Sequence, residues 1–572
     1  MGDPKQIYQN GKGKEQQTFD VIVIGSGISG GWAAKELCEK GLKTLVIERG
    51  PQVEHIKDYP TASLNPWDFE FRLNHTEREK ERNPIKTAYG DAGGDLFFVN
   101  DSEHPYIQEK PFNWVRGYQV GGRSLTWGRQ CYRYSDLDFG ANERDGIAVD
   151  WPLRYKELAP WYDYVETYVG ISGQKEGWAT LPDGNFLPPI DMNCIEAHFA
   201  EKVRAHYKDR IVTHGRVTNL SRGWNGRGPC QFRNLCSRGC PFGGYFSSNA
   251  ATLPAAAATG NLTLLTETIV TEIIYDEATA RASGVRVMNT ATRAMTEYFA
   301  RIIFVNASTI ATAAILLNSV SRRFPDGLGN SSGQVGHNLM DHFTGTGVTG
   351  DFRGMEDRYY YGRKPVGIYV PRFRNIPGTD MRKDYIRGFG FQGKGAREEW
   401  RETGVRAGGF GKDFKDKLLH PGPWGMWMGG WGETLPYYDN KVTLDKDRKD
   451  PWGIPMVKID FEYRENEKAM TKDIAQCLEE MFTVAGFSNV SVYSYLQPGG
   501  TAVHEMGTVR MGRDPKTSVL NGYNQMHDVK NVFITDGSCM TSSGSANPSL
   551  TYMALTARAC DHVVNALKKG EL

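Results

Sequence analysis

Short continuous apolar runs alternate with helix-compatible stretches at the start of the chain, a pattern typical of strands joined by helices. Val21–Ile24 is the first apolar run, Trp32–Glu39 is compatible with a helix, and Thr44–Ile47 is a second apolar run. Strand, helix and strand in this order predict a βαβ unit, in which the two strands lie parallel in one sheet.

The alternation returns in the middle of the chain and then changes character. Strands are predicted at 261–276, 283–289 and 299–308, and the last of these leads into a helix at 309–319. Residues 345–500 differ, because many short alternating segments there are rich in Trp, Tyr and Gly. That pattern predicts a mostly antiparallel sheet.

A glycine-rich turn joins the first strand to the first helix. Gly25, Gly27 and Gly30 stand there at G-x-G-x-x-G spacing, and Glu48 ends the second strand. In a βαβ unit the first glycine permits a tight turn, the second lets the backbone approach a pyrophosphate, and the third allows close helix–strand packing. Glu48 is placed to accept hydrogen bonds from a ribose, which argues against a 2′-phosphate. We therefore predict a dinucleotide site, and the motif does not choose between NAD and FAD.

Composition and charge exclude several classes of partner. The 572 residues are 40% hydrophobic and 24% charged, with a net charge of +1, a balance typical of a globular enzyme. No basic stripe stands out, so we expect neither nucleic acid nor an anionic membrane as a partner. The longest apolar runs are far shorter than the roughly 18 residues of a membrane-spanning helix. The first eighteen residues lack the apolar region of a secretory signal, so we expect no export signal in the chain itself.

Three of the nine cysteines lie close together, at Cys230, Cys236 and Cys240, in the pattern C-x5-C-x3-C-P. A zinc site, a disulfide with a spare thiol, and buried free thiols are alternatives. The pattern favours an iron–sulfur cluster, since thiolates hold such clusters and a proline often follows the last ligand. Three ligands fit a 3Fe–4S cluster, whereas a 4Fe–4S cluster needs a fourth, from Cys194 or Cys131.

Several segments in order resemble one family, the glucose–methanol–choline (GMC) flavin oxidoreductases. They are the N-terminal GSGISGGWAAKEL, RGYQVGGRSLTWG (116–128), GQVGHNLMDH (333–342), GETLPYYDNKVTL (432–444), HEMGTVRMG (504–512) and TDGSCMTSSGSANPSLTYMALTAR (535–558). The resemblance spans nearly the whole chain. One segment departs from the family pattern, because polar Asn306 and Thr309 stand where the family usually runs Ala-Gly-Ala.

The resemblance implies an FAD cofactor and assigns residues to it by position. The expected cofactor residues are Gly25, Gly27, Gly30 and Glu48 for the ADP half, Val270 for adenine, Gly121, Gly122 and Ser124 near the flavin, Asp536 and Gly537 for the ribityl chain and pyrophosphate, and Pro548 at the start of the final helix. That helix is predicted to begin with Asn547 as N-cap and Pro548 in its first turn. Its N-terminus would stabilise negative charge on the reduced flavin.

The resemblance also implies a catalytic pair, His504 and Asn547. Oxidation of an alcohol requires loss of the hydroxyl proton and transfer of a hydride from the same carbon to flavin N5. A neutral imidazole, with an ordinary pKa of about 6.5, is suited to accept that proton. Asn547 would hold the hydroxyl oxygen. We expect His337, His342 and His527 to have packing or surface roles.

One bacterial branch of the family, the catalytic subunits of membrane-linked sugar and sugar-acid dehydrogenases, has the same cysteine spacing. This implies a 3Fe–4S cluster on Cys230, Cys236 and Cys240 that passes electrons to an external acceptor such as a cytochrome c subunit. It also implies a small signal-bearing subunit that carries the chain to the periplasm; without such a partner the location would be cytoplasmic. The expected reaction is oxidation of a secondary hydroxyl of a sugar or glycoside, as in glucoside 3-dehydrogenases.

Alternatives to this function remain open at the sequence level. They are a gluconate, glucose or fructose dehydrogenase subunit, an oxygen-using sugar oxidase whose cysteine loop is structural or empty, and a non-catalytic flavoprotein. Trp427 and Trp431 would share one face of a strand, with Trp424 on the other. They are candidates either for contact with a sugar or for packing in the sheet core.

The predicted fold class is mixed α/β and α+β, with an FAD-binding Rossmann-like domain interleaved with an antiparallel-sheet substrate domain. The FAD-binding domain is expected in three parts, which are 18–150 with 51–115 as a lid-like insertion, 206–344 with the cysteine loop 230–244, and 501–572 with the catalytic pair. The substrate domain is expected to comprise a helical segment at 151–205 and the substrate-binding domain proper at 345–500.

Overall fold

A computed structural model describes residues 18–359, 362, 364–379, 381–398, 409–419 and 422–572 of the chain. The strands are β1 Thr18–Ile24, β2 Thr44–Ile47, β3 Ile107–Gln108, β4 Ile171–Ser172, β5 Phe186–Leu187, β6 Thr213–His214, β7 Leu262–Leu265, β8 Thr268–Asp276, β9 Arg281–Asn289, β10 Met295–Val305, β11 Thr346–Phe352, β12 Ile368–Val370, β13 Phe389–Arg397, β14 Trp424–Gly432, β15 Lys441–Lys449, β16 Pro455–Asp460, β17 Ser488–Ser494 and β18 Val532–Ile534. The helices are α1 Ile28–Glu39, α2 Glu77–Arg82, α3 Pro84–Tyr89, α4 Asp136–Phe139, α5 Ala141–Asp145, α6 Tyr155–Val169, α7 Cys194–His206, α8 Thr252–Ala258, α9 Thr309–Asn318, α10 Gly411–Leu418, α11 Glu465–Val484 and α12 Ser549–Lys569.

A seven-stranded sheet forms the nucleotide-binding half. Its order is β7-β2-β1-β10-β9-β8, and β18 pairs with the C-terminal part of β10. Strands β7, β2, β1, β10 and β18 run parallel, as the βαβ pattern predicts, whereas β8 and β9 add an antiparallel hairpin. The fully apolar runs of the parallel strands are buried on both faces of the sheet. This is why the sequence shows continuous rather than alternating hydrophobicity there.

A six-stranded antiparallel sheet, in the order β17-β11-β14-β13-β12-β6, forms the second half. One of its faces packs on α11, a 20-residue helix inside the segment where the sequence pattern predicted mostly strands. The buried residues of α11 include Met470, Ile474, Leu478 and Met481, spaced at helical intervals. The helix could therefore have been predicted from the helical spacing of its apolar residues. The prediction missed it because polar and apolar residues alternate in the surrounding segment.

The segment 51–115 is more structured than the predicted loop or lid. It contains α2, α3 and β3, and Val53, Tyr59, Ala62 and Phe97 form a small core with Leu125. Strand β3 pairs with β16, so the segment is tied to the hairpin β15–β16.

None of the helices in the described part of the chain combines the length and the apolar character needed to cross a bilayer.

Candidate active site

A cavity of about 290 Å³ opens at the carboxyl ends of β1 and β10. Its walls come from segments far apart in the chain, including the first glycine turn, the loop 117–130, strand β8, the start of α9, the segment 503–505 and the start of α12. Ligands of open parallel sheets bind at this edge, because the loops that leave neighbouring strands diverge there.

The three glycines of the first turn have separate structural roles. Gly25 has φ +96°, and a Cβ added there would lie 2.4 Å from the Asn306 carbonyl oxygen. A Cβ on Gly30 would lie 1.9 Å from the Gly25 carbonyl oxygen, so only glycine allows α1 to pack this closely. Gly27 lines the cavity and has no atom within 4 Å of a built Cβ, which leaves open space at the N-terminus of α1.

Glu48 lies buried at the end of β2 and lines the cavity. Its carboxylate accepts hydrogen bonds from the Ser26 backbone N–H at 3.1 Å, the Ser26 hydroxyl at 2.5 Å and the Gly50 N–H at 3.1 Å. Burial raises the pKa of Glu48, while these hydrogen bonds act in the opposite direction. The side chain is therefore held rigidly at the position predicted for a ribose contact.

The second glycine loop forms a 3₁₀ turn at Gly122–Leu125. Gly121 and Gly122 both have positive φ, and Gly122 and Ser124 line the cavity. Gly121 does not line it; a Cβ there would lie 1.7 Å from Asn249 Oδ1, so this glycine serves close packing. The Ser124 hydroxyl donates to the Gly121 carbonyl oxygen at 2.6 Å and closes the turn.

Val270, Asp536, Gly537 and Pro548 also line the cavity, whereas Gly30 lies behind it. Asp536 is buried and accepts hydrogen bonds from the Thr312 hydroxyl at 2.6 Å and the Ser538 backbone N–H at 3.0 Å.

The departure from the family pattern has a structural role. Asn306 Oδ1 accepts hydrogen bonds from the Thr535 N–H at 3.2 Å and its hydroxyl at 2.9 Å. The Thr309 hydroxyl donates to the Glu505 carbonyl oxygen at 2.6 Å. The two polar residues therefore tie the start of α9 to the C-terminal segments that carry the predicted site.

Several residues that line the cavity have buried polar atoms without a hydrogen-bond partner in the protein. They are Arg49 Nε, His104 Nδ1, Arg116 Nε and Nη2, and Asn306 Nδ2. Unpartnered buried donors are costly, so they indicate a polar ligand. Together with the glycine cradle and Glu48, they fit a dinucleotide such as FAD.

The two predicted catalytic side chains lie together at this cavity. His504 Nε2 is 3.1 Å from Asn547 Nδ2, and both residues line the wall. Asn547 Oδ1 accepts a hydrogen bond from Gln392 Nε2 at 2.8 Å. The N-cap of α12 is Pro548, and the Asn547 side chain makes no cap. The predicted Asn N-cap is therefore wrong, because the amide is used for His504 and Gln392.

His342 is buried next to the same site, where its ring contacts His504. Its Nδ1 lies 2.9 Å from His504 Nδ1, and its Nε2 lies 2.7 Å from the Gly544 carbonyl oxygen. Burial lowers the pKa of His342 to about 4. Burial, together with His342 and Arg123, also lowers the pKa of His504 well below its ordinary value. Both rings are therefore neutral near pH 7.

Carboxylates and one guanidinium hold the segment around His504. Asp341 Oδ1 accepts a hydrogen bond from the His504 backbone N–H at 2.9 Å, and Arg123 pairs with Glu505 at 2.6 Å. Burial, with a contribution from the Glu505 charge, raises the pKa of Asp341 to about 8. Val503, just before His504, has φ +57°, a conformation that a β-branched residue rarely adopts. These contacts thus hold a strained turn that presents His504.

The three-cysteine loop lies next to the second glycine loop. The buried Tyr245 hydroxyl is 2.6 Å from the Leu125 carbonyl oxygen and 3.0 Å from that of Cys236. The thiols of Cys236 and Cys240 interact electrostatically with that of Cys230, and burial is the main factor that raises the pKa of Cys230. All nine cysteines lie in the described part of the chain, and all are free.

The cysteine side chains of this loop are not arranged as metal ligands. Within the described residues, no group of three His, Cys, Asp or Glu side chains is arranged to hold a metal ion. The two candidate fourth ligands lie in other cores, Cys131 in that of the nucleotide-binding half and Cys194 against that of the antiparallel sheet. The thiols are therefore neighbours, but their side chains do not converge on one point.

The tryptophans of β14 are distributed as predicted for a strand. Trp424 is buried in the core under α11, whereas Trp427 and Trp431 are half-buried on the opposite face, with ring centroids 6.1 Å apart. Gly429 lies between them and pairs with Gln392 of β13. Paired residues of antiparallel strands point to the same face, so the two rings share a face with the residue that contacts Asn547.

Sequence reasoning missed Gln392, His342 and the unpartnered polar residues of the cavity wall. His342 lies in the quoted segment GQVGHNLMDH, where an acidic residue beside a histidine was the available signal. Gln392 had none, because it reaches the site through strand pairing between β13 and β14.

The fold and the cavity define a dinucleotide-dependent oxidoreductase with a histidine–asparagine pair at its cofactor site. A family profile described as GMC oxidoreductase matches residues 19–344, and a second with the same description matches residues 436–556. The chain therefore belongs to the GMC oxidoreductase family, whose members act on CH–OH groups and whose membership implies FAD.

Known proteins are similar over almost the whole chain. The 2-methyl-1,2-propanediol dehydrogenase of Mycolicibacterium austroafricanum is 29% identical, with 95% of each chain covered. The fructose dehydrogenase large subunit of Gluconobacter japonicus is 25% identical, with 97% of this chain and 99% of that protein covered. The crystal structure of pyridoxine 4-oxidase from Mesorbium loti has a TM-score of 0.58 at 17% identity, covers 95% of this chain and 98% of its own, and so shares the fold.

Proposed function

We propose that this protein is an FAD-dependent dehydrogenase that oxidises a secondary hydroxyl of a sugar or glycoside. The observation that carries the proposal is the pair His504–Asn547 at the wall of the cavity, with Asn547 hydrogen-bonded to Gln392 of the six-stranded sheet. A neutral imidazole beside an amide is the arrangement that alcohol oxidation requires, since one group must accept the hydroxyl proton and another must hold the oxygen.

In this mechanism His504 Nε2 accepts the hydroxyl proton. The Asn547 amide, which lies 3.1 Å from that nitrogen, binds the hydroxyl oxygen and orients the carbon. Gln392 holds Asn547 from the sheet side. FAD, when bound by the glycine turn, Glu48 and Asp536, supplies the acceptor for the hydride that leaves the carbon.

The carbohydrate class is supported by the sheet face opposite α11. Trp427 and Trp431 flank the position that faces Gln392, and Trp427 Nε1 donates to the Tyr493 hydroxyl at 2.8 Å. Flat indole faces next to amide and hydroxyl groups suit a ring with C–H surfaces and hydroxyls. The similarity to the propanediol and fructose dehydrogenases named above supports a substrate with an alcohol or sugar hydroxyl.

The test is dye-linked oxidation of a panel of sugars, glycosides, sugar acids and small diols by the flavin-loaded enzyme. We expect turnover with a sugar or glycoside, and a loss of about 10²–10⁴-fold in His504→Ala with FAD retained, because a general base contributes this much. His527→Ala, at a histidine that does not line the cavity, is the matched control. Activity near wild type in His504→Ala contradicts the catalytic assignment, and activity confined to small diols contradicts the substrate class.

We further propose that Cys230, Cys236 and Cys240 hold a 3Fe–4S cluster once iron is supplied. Support comes from the mutual interaction of the three thiols and from Tyr245, which joins this loop to the glycine loop of the cavity. The Gly244 N–H lies 3.3 Å from Cys240 Sγ, and N–H groups of this kind stabilise thiolates. A bound cluster would supply a one-electron acceptor next to the flavin.

Anaerobic purification with iron and sulfide analysis tests the cluster. We expect about three irons per chain and an EPR signal in the oxidised sample, both lost in Cys236→Ser and retained in the matched control Cys539→Ser. Zinc, or no metal, in protein prepared without oxygen contradicts the proposal. That result would support the alternative of an oxygen-using oxidase, which agrees with three thiols that do not converge on one point. Sugar-dependent formation of peroxide in air would identify such an oxidase.

Partners and location are part of the same proposal. The fructose dehydrogenase relative is named a large subunit, which supports a small signal-bearing subunit here, with a cytochrome c acceptor and export to the periplasm. Co-expression with a candidate small signal-bearing subunit, followed by cell fractionation, tests this. A chain that stays in the cytoplasm under those conditions contradicts it.

A further inference from the structure

Two hydrogen bonds determine where the proton of His342 lies. His342 is 1% exposed, and its Nε2 is 2.7 Å from the Gly544 carbonyl oxygen. A carbonyl oxygen only accepts hydrogen bonds, so Nε2 of His342 must carry hydrogen. Because the ring is neutral near pH 7, its Nδ1 has no hydrogen and can only accept.

The direction of that bond then determines the tautomer of His504. His504 Nδ1 lies 2.9 Å from His342 Nδ1, and one of the two nitrogens must donate. Since His342 Nδ1 is an acceptor, His504 carries its hydrogen on Nδ1. The Nε2 of a neutral His504 is therefore a lone pair, and Asn547 Nδ2 donates to it.

A chain of bonds on the other side has the same polarity. Asn547 Oδ1 accepts from Gln392 Nε2 at 2.8 Å, and Gln392 Oε1 accepts from Gln130 Nε2 at 2.9 Å. The Tyr132 hydroxyl donates to Gln130 Oε1 and ends the chain. This orientation leaves the Asn547 NH₂ group facing His504, so the second chain agrees with a bare Nε2.

The ionisable neighbours Asp341, Glu505 and Arg123 do not replace His342 in this role. Asp341 binds the backbone N–H groups of Ala502 and His504 rather than the imidazole, and Glu505 pairs with Arg123. Within the described residues, His342 is the hydrogen-bond partner of His504 Nδ1.

We propose that His342 is a positioning residue that holds His504 in the Nδ1–H tautomer and so leaves Nε2 bare for the substrate hydroxyl. This rests on the proposed role of His504 as the base. A proton accepted at Nε2 cannot pass on through His342, because the Gly544 carbonyl oxygen at the far end of that chain does not accept protons. It therefore leaves from the cavity side.

Kinetics of two variants test the proposal in the flavin-loaded enzyme. His342→Leu removes the acceptor, and we expect kcat to fall by up to about 10⁴-fold, the loss seen when a triad histidine takes the wrong tautomer, with KM and FAD content little changed. His342→Asn can place an amide oxygen near the Nδ1 position and should restore much of the rate. His337→Leu, whose ring stacks on Tyr438 away from the pair, is the matched control. Equal losses in His342→Leu and His342→Asn overturn the proposal.

Histidine-selective ¹⁵N NMR gives a readout that does not depend on turnover. In wild type at pH 7 we expect protonated Nδ1 and bare Nε2 for His504, assigned by loss of its signals in His504→Gln. A shift toward the Nε2–H form is expected in His342→Leu. If wild type shows the Nε2–H form, the proposal fails, and this spectrum decides the matter even if His342→Leu does not fold. Full activity in His504→Ala would instead overturn the proposed function while leaving the tautomer result intact.

Discussion

Backbone geometry at a few residues decides whether the cavity exists. A Cβ on Gly30 would lie 1.9 Å from a backbone oxygen of the preceding turn, and Gly25 has a φ that L side chains rarely adopt. These constraints are local, which is why the glycine spacing could be interpreted from the sequence. His342 could not, since its partner His504 is 162 positions away in the chain.

The pH dependence of turnover follows from the environment of His504. Burial, His342 and Arg123 lower its pKa well below the ordinary value of about 6.5, and in the proposed mechanism the neutral ring is the active form. The base therefore stays active as the pH falls through 6.5 and is lost only at more acidic pH. We expect kcat/KM with a sugar that does not ionise to remain level between about pH 6.5 and 5.5.

The segment around His504 also faces Glu505, Arg123 and Asp341. The dependence of kcat/KM on pH is therefore measured for the wild type and for Asp341→Asn. A fall in activity centred near pH 6.5 in both proteins contradicts the lowered pKa of His504.

At the scale of elements, strand pairing builds the substrate side. Residues 389–397 of β13 and 424–432 of β14 pair in register, and this brings Gln392 between Trp427 and Trp431 on one face. The alternation within β14 was predictable from its sequence. Which face meets His504 and Asn547 was not, because that depends on the contact of Gln392 with Asn547, which lies 155 positions away in the chain and just before α12.

We expect Trp427→Ala and Trp431→Ala each to raise KM for the sugar. Loss of one aromatic face costs about 1 kcal/mol, which corresponds to roughly a fivefold rise in KM. Steady-state kinetics measure this, with little change in kcat expected.

The matched control is Trp424→Phe, because Trp424 lies on the buried face of the same strand. This variant should lower thermal stability and leave KM unchanged. A KM effect in Trp424→Phe equal to those of the other two would show that the strand acts only through packing.

At the scale of the whole molecule, the cavity joins the parallel sheet to the β15–β16 hairpin. Its wall includes Glu48 of the parallel sheet. It also includes Asp450 and Ile454 of the turn between β15 and β16, and this hairpin lies within the predicted substrate-binding segment 345–500. The salt bridge between Arg49 and Asp450, at 3.7 Å, crosses the same boundary. The cofactor would therefore contact both the parallel sheet and this hairpin.

Removal of FAD should consequently lower the stability of the entire chain. A ligand that binds only the folded state at 100 times its Kd stabilises it by about 2.7 kcal/mol. We expect a matching rise in Tm when FAD is added back to apoprotein, followed by calorimetry at several FAD concentrations. NAD at the same concentrations is the control. An equal rise with NAD contradicts the choice of FAD.

The amino-acid sequence by itself determined the features that depend on near neighbours in the chain. These are the βαβ unit, the glycine turn, the alternation of β14 and the grouping of the three cysteines, because backbone sterics and side-chain period act over a few residues. Only the tertiary structure decided which side chains meet: His342 with His504, Gln392 with Asn547, and the cysteine loop with the glycine loop through Tyr245. Those contacts join segments separated by long stretches of chain, so they follow from packing and strand register, which no local pattern encodes.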